Sequence, residues 1–343
     1  MEKFKKIQRL VQSSRRIAIL CHTNADPDSL CSGFALSYLL RKTKKRLNVE
    51  LIAPGGVSKV SRAVARALPM KFSNTLPASA FDLIFTVDAN TTQQLGDARE
   101  TVEKSGAPVV VIDHHAPDPF TRKLAAVFVS DQNASSTAEV VHSISKQLKV
   151  TWSRSVAQIL LTGMIYDSNH FALARPNTLR VAVDLLDCGA DPRKSIAILR
   201  LPIDDSERMA RIKAAQRADV NRICGWIVAT SDVGSHQGSA ARALIMLGAQ
   251  VAVVGGEKKG SIQISLRSTD EFHKKTGVHL GTDIARPLGE LIGGMGGGHA
   301  VASGVAGRGE LGKVLKESTV LIEKKLRESD NRPTQDGVSA QHL

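Results

Sequence analysis

The sequence predicts an α/β protein, with a parallel-sheet domain crossed by helices and a smaller α/β domain after it. Three observations support this fold class. The chain has 343 residues, more than one hydrophobic core usually organises. In its first half, short apolar runs alternate with amphipathic helical stretches, which is typical of parallel strands joined by crossover helices. A polar segment then separates this region from a second apolar region.

The first domain is predicted to contain three buried strands and three helices with one apolar face. The strands are Ile17–Cys21, Leu83–Val87 and Val109–Ile112. The helices are one after Ser29, one that a capping box of Ser136 and Glu139 opens, and one through Val156 and Met164. The predicted boundaries are 1–200 for this domain, 201–218 for a linker, 219–327 for the second domain and 328–343 for a disordered tail.

The second domain is predicted to alternate strands and helices before a glycine-rich loop. Its predicted elements are the strands Ile223–Thr230, Val251–Val254 and Ser261–Leu266 and the helix Ser239–Leu247. GGEKKG, residues 255–260, is interpreted as a hairpin turn, because no helix opens directly after it. We expect an active-site cleft between the two domains.

Composition points to anionic partners. The formal net charge is +13, which favours binding of phosphate-containing partners. The simpler explanation is that the charge only keeps the protein soluble. Aromatic residues are only 4%, so a platform of many stacked bases is not expected. No segment approaches membrane-spanning length and none resembles a signal peptide, so a cytoplasmic location is expected. The cysteines lack zinc-like spacing and are expected in or near the cores: Cys21, Cys31, Cys188 and Cys224.

Acidic and imidazole side chains follow all three predicted strands of the first domain. The carboxyl ends of parallel strands share one edge of a sheet, so these side chains should converge there. Asp167 follows an apolar helix and adds a further carboxylate. The candidates after the strands are His22, Asn24, Asp26 and Asp28; then Asp88; then Asp113, His114 and His115.

Gathered carboxylates repel one another unless a cation neutralises them, so metal binding is the favoured interpretation. Oxygen donors with imidazoles suit manganese better than zinc, and magnesium is the close competitor. Each residue alone has a simpler explanation, and Asp28 could cap the helix that carries Leu30. That explanation does not account for acidic or imidazole residues at the ends of three successive strands.

In order, these residues resemble the motifs of the DHH superfamily of phosphoesterases. The matching segments are His22-Thr-Asn-Ala-Asp26-Pro-Asp28-Ser29, Val87-Asp88, Asp113-His114-His115 and Tyr166-Asp167-Ser168. Downstream, Ser265-Leu266-Arg267 and Gly296-Gly297-Gly298-His299 look like the DHH-associated C-terminal domain. The compact subgroup with nanoRNase and adenosine 3′,5′-bisphosphate (pAp) phosphatases is more similar than the larger RecJ-type exonucleases.

The resemblance implies two Mn²⁺ ions, with Mg²⁺ possible, and a role for each matching residue. One ion would be held by His22, Asp26 and Asp88, and the other by Asp28, Asp88, His114 and Asp167. Asp113 would orient an imidazole, and His115 would act at the scissile phosphate. Ser168 and the Ala302-Ser303-Gly304 segment depart from the common pattern, and neither departure touches an implied ligand.

The second domain is expected to hold the substrate through Arg267, Gly296, Gly297, Gly298 and His299. Glycine N–H groups and the arginine fork both suit phosphate, whereas the simpler alternatives are a flexible turn and a surface arginine. The predicted activity is hydrolysis of short single-stranded RNA or DNA to mononucleotides. The alternatives are a pAp-type phosphomonoesterase, a cyclic-dinucleotide phosphodiesterase, and a noncatalytic nucleic-acid-binding subunit. A homodimer fits the compact relatives, and no membrane partner is expected.

Overall fold

The computed structural model describes residues 2–77 and 81–330 and divides into two units, residues 1–201 and 202–343. The predicted linker, residues 201–218, contains a helix, and the second unit begins at Pro202. Most of the predicted tail lies outside the described residues, and the segment Glu328–Asp330 ends a long helix. Within the described ranges, no helix is both long and apolar enough to cross a membrane.

The first unit is built on a parallel sheet of five strands in the order β2-β1-β3-β4-β5. The strands are β1 (Arg16–Leu20), β2 (Asn48–Ile52), β3 (Leu83–Val87), β4 (Val109–Asp113) and β5 (Ala125–Ser130). The central strand β3 is buried at every position, as expected for a strand covered on both faces. The three predicted strands of this domain are confirmed, and the two strands at the edges of the sheet were missed.

Helices cover both faces of this sheet. They are α1 (Glu2–Ser13), α2 (Pro27–Thr43), α3 (Lys59–Ala67), α4 (Ala98–Lys104), α5 (Pro119–Leu124), α6 (Thr137–Leu148), α7 (Arg154–Asp167), α8 (Pro176–Asp187) and α9 (Pro192–Leu199), with a 3₁₀ turn at Thr92–Leu95. The larger core joins Ile17 and Ile19 of β1 to α2, α6 and α7. The smaller core joins Ala18 and Leu20, on the opposite face of β1, to α4. This alternation is the two-residue period of a strand.

The second unit contains a six-stranded sheet in the order β10-β11-β9-β8-β7-β6, in which only β7 and β8 are parallel. Its strands are β6 (Asp219–Ile223), β7 (Trp226–Asp232), β8 (Val251–Lys258), β9 (Ser261–Ser268), β10 (Met295–Gly298) and β11 (Ala302–Arg308). Its helices are α10 (Asp205–Gln216), α11 (Gln237–Met246), α12 (Asp270–Thr276), α13 (Arg286–Leu291) and α14 (Leu311–Asp330), with a π-helical turn at Leu280–Ala285. The predicted α/β fold with two units is confirmed.

Three predictions for the second unit were wrong, whereas its other predicted strands, its predicted helix and its hairpin turn are confirmed. The predicted strand Ile223–Thr230 is a hairpin, because Cys224 and Gly225 both adopt a left-handed backbone and reverse the chain between β6 and β7. Cys224 is therefore exposed in a turn and not in a core. The predicted glycine-rich loop is the edge strand β10, which pairs with β11. Residues 255–260 do enclose a hairpin turn, between β8 and β9.

Candidate metal centre

The candidate site lies at the carboxyl ends of β1, β3 and β4, at the start of α2 and at the end of α7. The predicted donors meet there in three overlapping groups, and within each group the candidate ligand atoms lie within 4.8 Å of one another. The groups are His22, Asp26 and Asp88; Asp28, His114 and Asp167; and Asp88, His114 and His115.

His22 presents one nitrogen to the carboxylates of the first group. Its Nδ1–H donates to the carbonyl oxygen of Thr23 at 2.8 Å. Its Nε2 lies 3.7 Å from Asp26 Oδ1 and 3.8 Å from Asp88 Oδ2. Burial lowers the pKa of His22, but the hydrogen bonds to Asp26 and Thr23, together with the charges of nearby carboxylates, raise this pKa to about 9. A backbone carbonyl that fixes Nδ1 leaves Nε2 oriented as a metal ligand.

His114 has the same arrangement in the second group. Its Nδ1 lies 3.4 Å from the carbonyl oxygen of Ala134, and its Nε2 lies 3.1 Å from Asp167 Oδ2. Burial lowers the pKa of His114, but the hydrogen bond to Asp167 and the charge of Asp88 raise it to about 9. Both groups therefore combine an oriented imidazole nitrogen with carboxylate oxygens.

Asp88 faces both groups, one carboxylate oxygen to each. Its Oδ2 lies 3.8 Å from His22 Nε2, and its Oδ1 lies 3.7 Å from His114 Nε2. The backbone turns sharply here, because Asp88 has a φ of 58°, a value that non-glycine residues adopt at some cost in energy. Burial, then the charges of Asp26 and Asp113, raise the pKa of Asp88 to about 7. Divalent cations fit this donor set, because they remove the repulsion between its carboxylates.

Asp28 is fully buried and lies at the first turn of α6. Its Oδ2 accepts a hydrogen bond from the N–H of Thr137 at 2.6 Å, and its Oδ1 accepts one from the N–H of Ala138 at 3.1 Å. Burial, then the charge of Asp88, raise the pKa of Asp28 well above its ordinary value. The alternative that Asp28 caps its own helix is wrong, because Asp26 caps α2 by accepting the N–H of Ser29 at 3.0 Å.

The predicted capping box of α6 does not form. The hydroxyl of Ser136 is buried and has no hydrogen-bond partner among the described residues. Glu139 instead accepts hydrogen bonds from the N–H of Ser135 and the hydroxyl of Thr178, each at 2.9 Å. The carboxylate of Asp28 takes the position that a local cap would fill, because it already accepts the first two helical N–H groups.

Thr137 contacts two of the candidate ligands and was missed by the sequence analysis. Its hydroxyl donates to Asp88 Oδ1 at 2.9 Å, while its N–H donates to Asp28. Its side chain is fully buried. The run of small hydroxyl residues before α6 was the available signal, because such residues at a helix start donate and accept hydrogen bonds across a site.

His115 is half-exposed and is held by the buried Asp113. Asp113 Oδ1 accepts hydrogen bonds from the N–H of His115 at 2.7 Å and from its Nδ1 at 2.8 Å. This hydrogen bond raises the pKa of His115. Its Nδ1 also lies 3.8 Å from Asp88 Oδ1, so His115 Nε2 is the ring nitrogen left to face a ligand.

A family model described as the N-terminal domain of the DHH family matches residues 16–164. The first unit therefore contains a DHH family domain. Members of this family are metal-dependent hydrolases, so the chain is an enzyme of that class. The matched range contains all the candidate ligands except Asp167, which ends the helix α7 that the match enters.

Three relatives of this DHH protein cover different shares of the chain. An uncharacterised protein of Methanocaldococcus jannaschii is 28% identical over 324 residues, 93% of this chain and 97% of its own length. The bifunctional oligoribonuclease and PAP phosphatase NrnA of Thermus thermophilus is 33% identical over 99 residues, 27% of this chain and 30% of its own. A probable manganese-dependent inorganic pyrophosphatase of Streptococcus equi subsp. zooepidemicus is 26% identical over 180 residues, 50% of this chain and 55% of its own.

Outside the DHH match, the glycines predicted to bind substrate have different structural roles. Gly297 lines a cavity of about 480 Å³ and has no atom within 4 Å of where a Cβ would stand. Gly296 also lines that cavity, but a Cβ there would stand 1.6 Å from the carbonyl oxygen of Ala285. Gly298 has a φ of 137°, and a Cβ there would stand 2.6 Å from the carbonyl oxygen of Ala302. Only Gly297 is thus free to face a ligand without a packing role.

Arg267 and His299 lie at the ends of β9 and β10. Arg267 Nη1 donates to the carbonyl oxygens of Leu266 at 2.7 Å and Ser303 at 3.4 Å. Its Nη2 takes no part in these two hydrogen bonds. His299 is exposed, and its N–H donates to the carbonyl oxygen of Ala302 at 2.8 Å. The predicted role of both residues in substrate binding stays a prediction.

Proposed function

We propose that this DHH protein is a two-metal, manganese-dependent phosphodiesterase that hydrolyses short single-stranded oligonucleotides to mononucleotides. The observation that carries the proposal is the position of Asp88, whose two oxygens face two separate imidazole and carboxylate groups. A bridging carboxylate is the arrangement that a pair of ions needs. The mixture of carboxylate oxygens and imidazole nitrogens favours Mn²⁺, with Mg²⁺ as the competitor.

The proposed ligands fall into two sets that share Asp88. His22 and Asp26 would complete the first set, and Asp28, His114 and Asp167 the second. When bound, such ions polarise a phosphoryl oxygen and lower the pKa of a water molecule. Thr137 holds Asp88 and Asp28 by hydrogen bonds, which keeps their oxygens oriented.

His115 is proposed to donate a hydrogen bond to the phosphate during hydrolysis. Asp113 accepts from Nδ1 and stabilises the protonated ring, so a proton remains available at Nε2. A positively charged donor lowers the energy of the negative charge that develops on the phosphate oxygens. Asp113 acts through His115 and is therefore a positioning residue.

Oligonucleotides are the favoured substrate for two reasons. The relative from T. thermophilus carries the name of an oligoribonuclease and PAP phosphatase. The net charge of +13 also favours a polyanion. The name of the S. equi relative supports manganese and makes inorganic pyrophosphate a necessary comparison substrate. The arrangement argues against a noncatalytic nucleic-acid-binding subunit, because such a subunit has no need to keep all the proposed metal ligands together.

Product analysis tests this proposal. The purified chain is incubated with Mn²⁺ or Mg²⁺ and with end-labelled dinucleotides, longer single strands, pAp, cyclic di-AMP and pyrophosphate. We expect mononucleotides, released fastest from the dinucleotides with Mn²⁺. Asp88→Asn should abolish turnover, whereas Asp187→Asn, an exposed control in the same unit, should retain it. Faster release of phosphate from pyrophosphate or pAp would replace the proposed substrate, and full activity of Asp88→Asn would defeat the site.

A further inference from the structure

The loop that carries His115 is held by side chains from both neighbouring strands. This His115 loop, residues 113–116, begins at the last residue of β4, which lies between β3 and β5 in the sheet. From the β3 side, Asn90 Nδ2 donates to the carbonyl oxygen of Ala116 at 2.8 Å. From the β5 side, the hydroxyl of Ser130 donates to the carbonyl oxygen of His115 at 3.0 Å. Two consecutive carbonyl groups are therefore anchored from opposite sides.

The register of the parallel sheet brings both donors to this loop. Ser130 is the last residue of β5 and pairs with Asp113, the last residue of β4. Asn90 lies two residues beyond Asp88, just after β3 ends. Only the NH₂ group of an asparagine amide can bond to a carbonyl oxygen, because its own oxygen would repel that atom. Each anchor therefore needs a side chain with a donor at its position.

These anchors complete the set of hydrogen bonds around His115. Asp113 Oδ1 accepts from the backbone N–H and from the ring Nδ1 of His115, which fixes the amino side of the residue and one edge of its ring. Asn90 and Ser130 fix the chain on the carboxyl side. Half of the imidazole is exposed, so packing restrains it less than a buried side chain. A displacement of about 1 Å in a reacting group can cost about 100-fold in rate.

We infer that Asn90 and Ser130 are positioning residues that hold His115 where its Nε2 can meet the scissile phosphate. The inference rests on the proposed function, because the role of His115 at the phosphate is part of that proposal. Within the described ranges, the side-chain hydrogen bonds of Asn90 and Ser130 reach the backbone of the His115 loop and no proposed metal ligand. Loss of either side chain should therefore change the rate of hydrolysis and leave metal binding intact.

Steady-state kinetics separates positioning from metal binding. The substrate is whichever phosphate ester the unchanged chain hydrolyses fastest. Asn90→Ala and Ser130→Ala each remove one neutral donor and should lower kcat by about threefold to tenfold, and the double variant by about tenfold to 100-fold. KM and the Mn²⁺ concentration for half-maximal activity should stay within about twofold, because His115 is proposed to act in the transition state. Ser130→Thr keeps the hydroxyl and should restore most of kcat.

Two control variants remove the same chemical groups at the other end of the sheet. Ser105→Ala removes a hydroxyl that also donates to a backbone carbonyl, that of Val102 at 2.9 Å. Asn48→Ala removes an exposed asparagine at the start of β2. Both residues precede a strand, whereas the candidate site lies where the strands end. Both variants should keep the kcat and KM of the unchanged chain.

Hydrogen exchange gives a second measurement that needs no substrate. The N–H of His115 donates to Asp113 Oδ1 at 2.7 Å, so its exchange reports how often the loop opens. In the double variant of Asn90 and Ser130, we expect this N–H to exchange at least about tenfold faster than in the unchanged chain. An unchanged kcat in a folded double variant would overturn the inference, and so would an unchanged exchange rate. If no phosphate ester is hydrolysed, the proposed function fails, whereas the exchange rates still decide whether these side chains hold the loop.

Discussion

Thr137→Val removes one hydroxyl from the candidate metal centre and leaves its shape nearly unchanged. The lost contact is the 2.9 Å hydrogen bond to Asp88 Oδ1, made by a fully buried side chain. The backbone N–H of residue 137 still donates to Asp28, so α6 keeps its N-terminal contact. The substitution therefore isolates the orientation of the bridging carboxylate.

The expected effect follows from the kind of hydrogen bond. A hydrogen bond to a charged group contributes about 1.5–3 kcal/mol, which corresponds to roughly 10–100-fold in an equilibrium constant. We expect the Mn²⁺ concentration for half-maximal activity to rise by about that factor. The assay is a Mn²⁺ titration of dinucleotide hydrolysis, supported by calorimetric Mn²⁺ binding.

Two further variants separate orientation from stability. Thr137→Ser keeps the hydroxyl and should bind Mn²⁺ nearly as well as the unchanged chain. Thr162→Val removes a buried hydroxyl of α7 that bonds to Gln158 and Ser195 but to none of the candidate ligands. It should lower the melting temperature without changing Mn²⁺ affinity. If Thr137→Val binds Mn²⁺ as tightly as the unchanged chain, Thr137 does not orient Asp88 and this reasoning is wrong.

Three more predictions concern packing, pH and metal removal. Gly163→Ala should cost about 1–3 kcal/mol and lower activity, because its Cβ would stand 3.2 Å from the Cα of Asp28, whereas Gly312→Ala meets no atom within 4 Å and should be neutral in thermal melts. Burial lowers the pKa of His142, so the stability that the neutral ring contributes should be lost as pH falls below about 6.5. The free energy of unfolding, measured with urea, should therefore decrease less between neutral and acid pH for His142→Phe than for the unchanged chain. Mn²⁺ at 100 times its dissociation constant should stabilise the chain by about 2.7 kcal/mol per site against EDTA, and an equal melting temperature in both would count against metal binding.

The sequence predicted the strands of the first unit that are buried on both faces, because such strands are continuous apolar runs. β2 and β5 lie at the two edges of the sheet and were missed. Glu50 interrupts the apolar run of β2, and four of the six residues of β5 are only partly buried. The donors could be predicted because His22, Asp88 and His114 each follow a predicted apolar run. Topology then gathers them without further information.

Contacts between distant segments could not be predicted in the same way. The local spacing of Ser136 and Glu139 indicates a capping box, but the carboxylate that accepts the N–H of Thr137 comes from 109 residues earlier in the chain. The glycines after Gly293 suggested a loop, whereas two of them permit the close packing of β10 against neighbouring backbone. In both places tertiary contacts decided the outcome over the local pattern.

Anomalous X-ray diffraction from crystals grown with Mn²⁺ tests the central claim most directly. Data collected on either side of the manganese absorption edge should give two peaks in the first unit, one beside His22 and Asp88 Oδ2 and one beside His114 and Asp88 Oδ1. A single peak, or peaks that do not contact Asp88, would contradict the proposal that this carboxylate bridges a pair of ions.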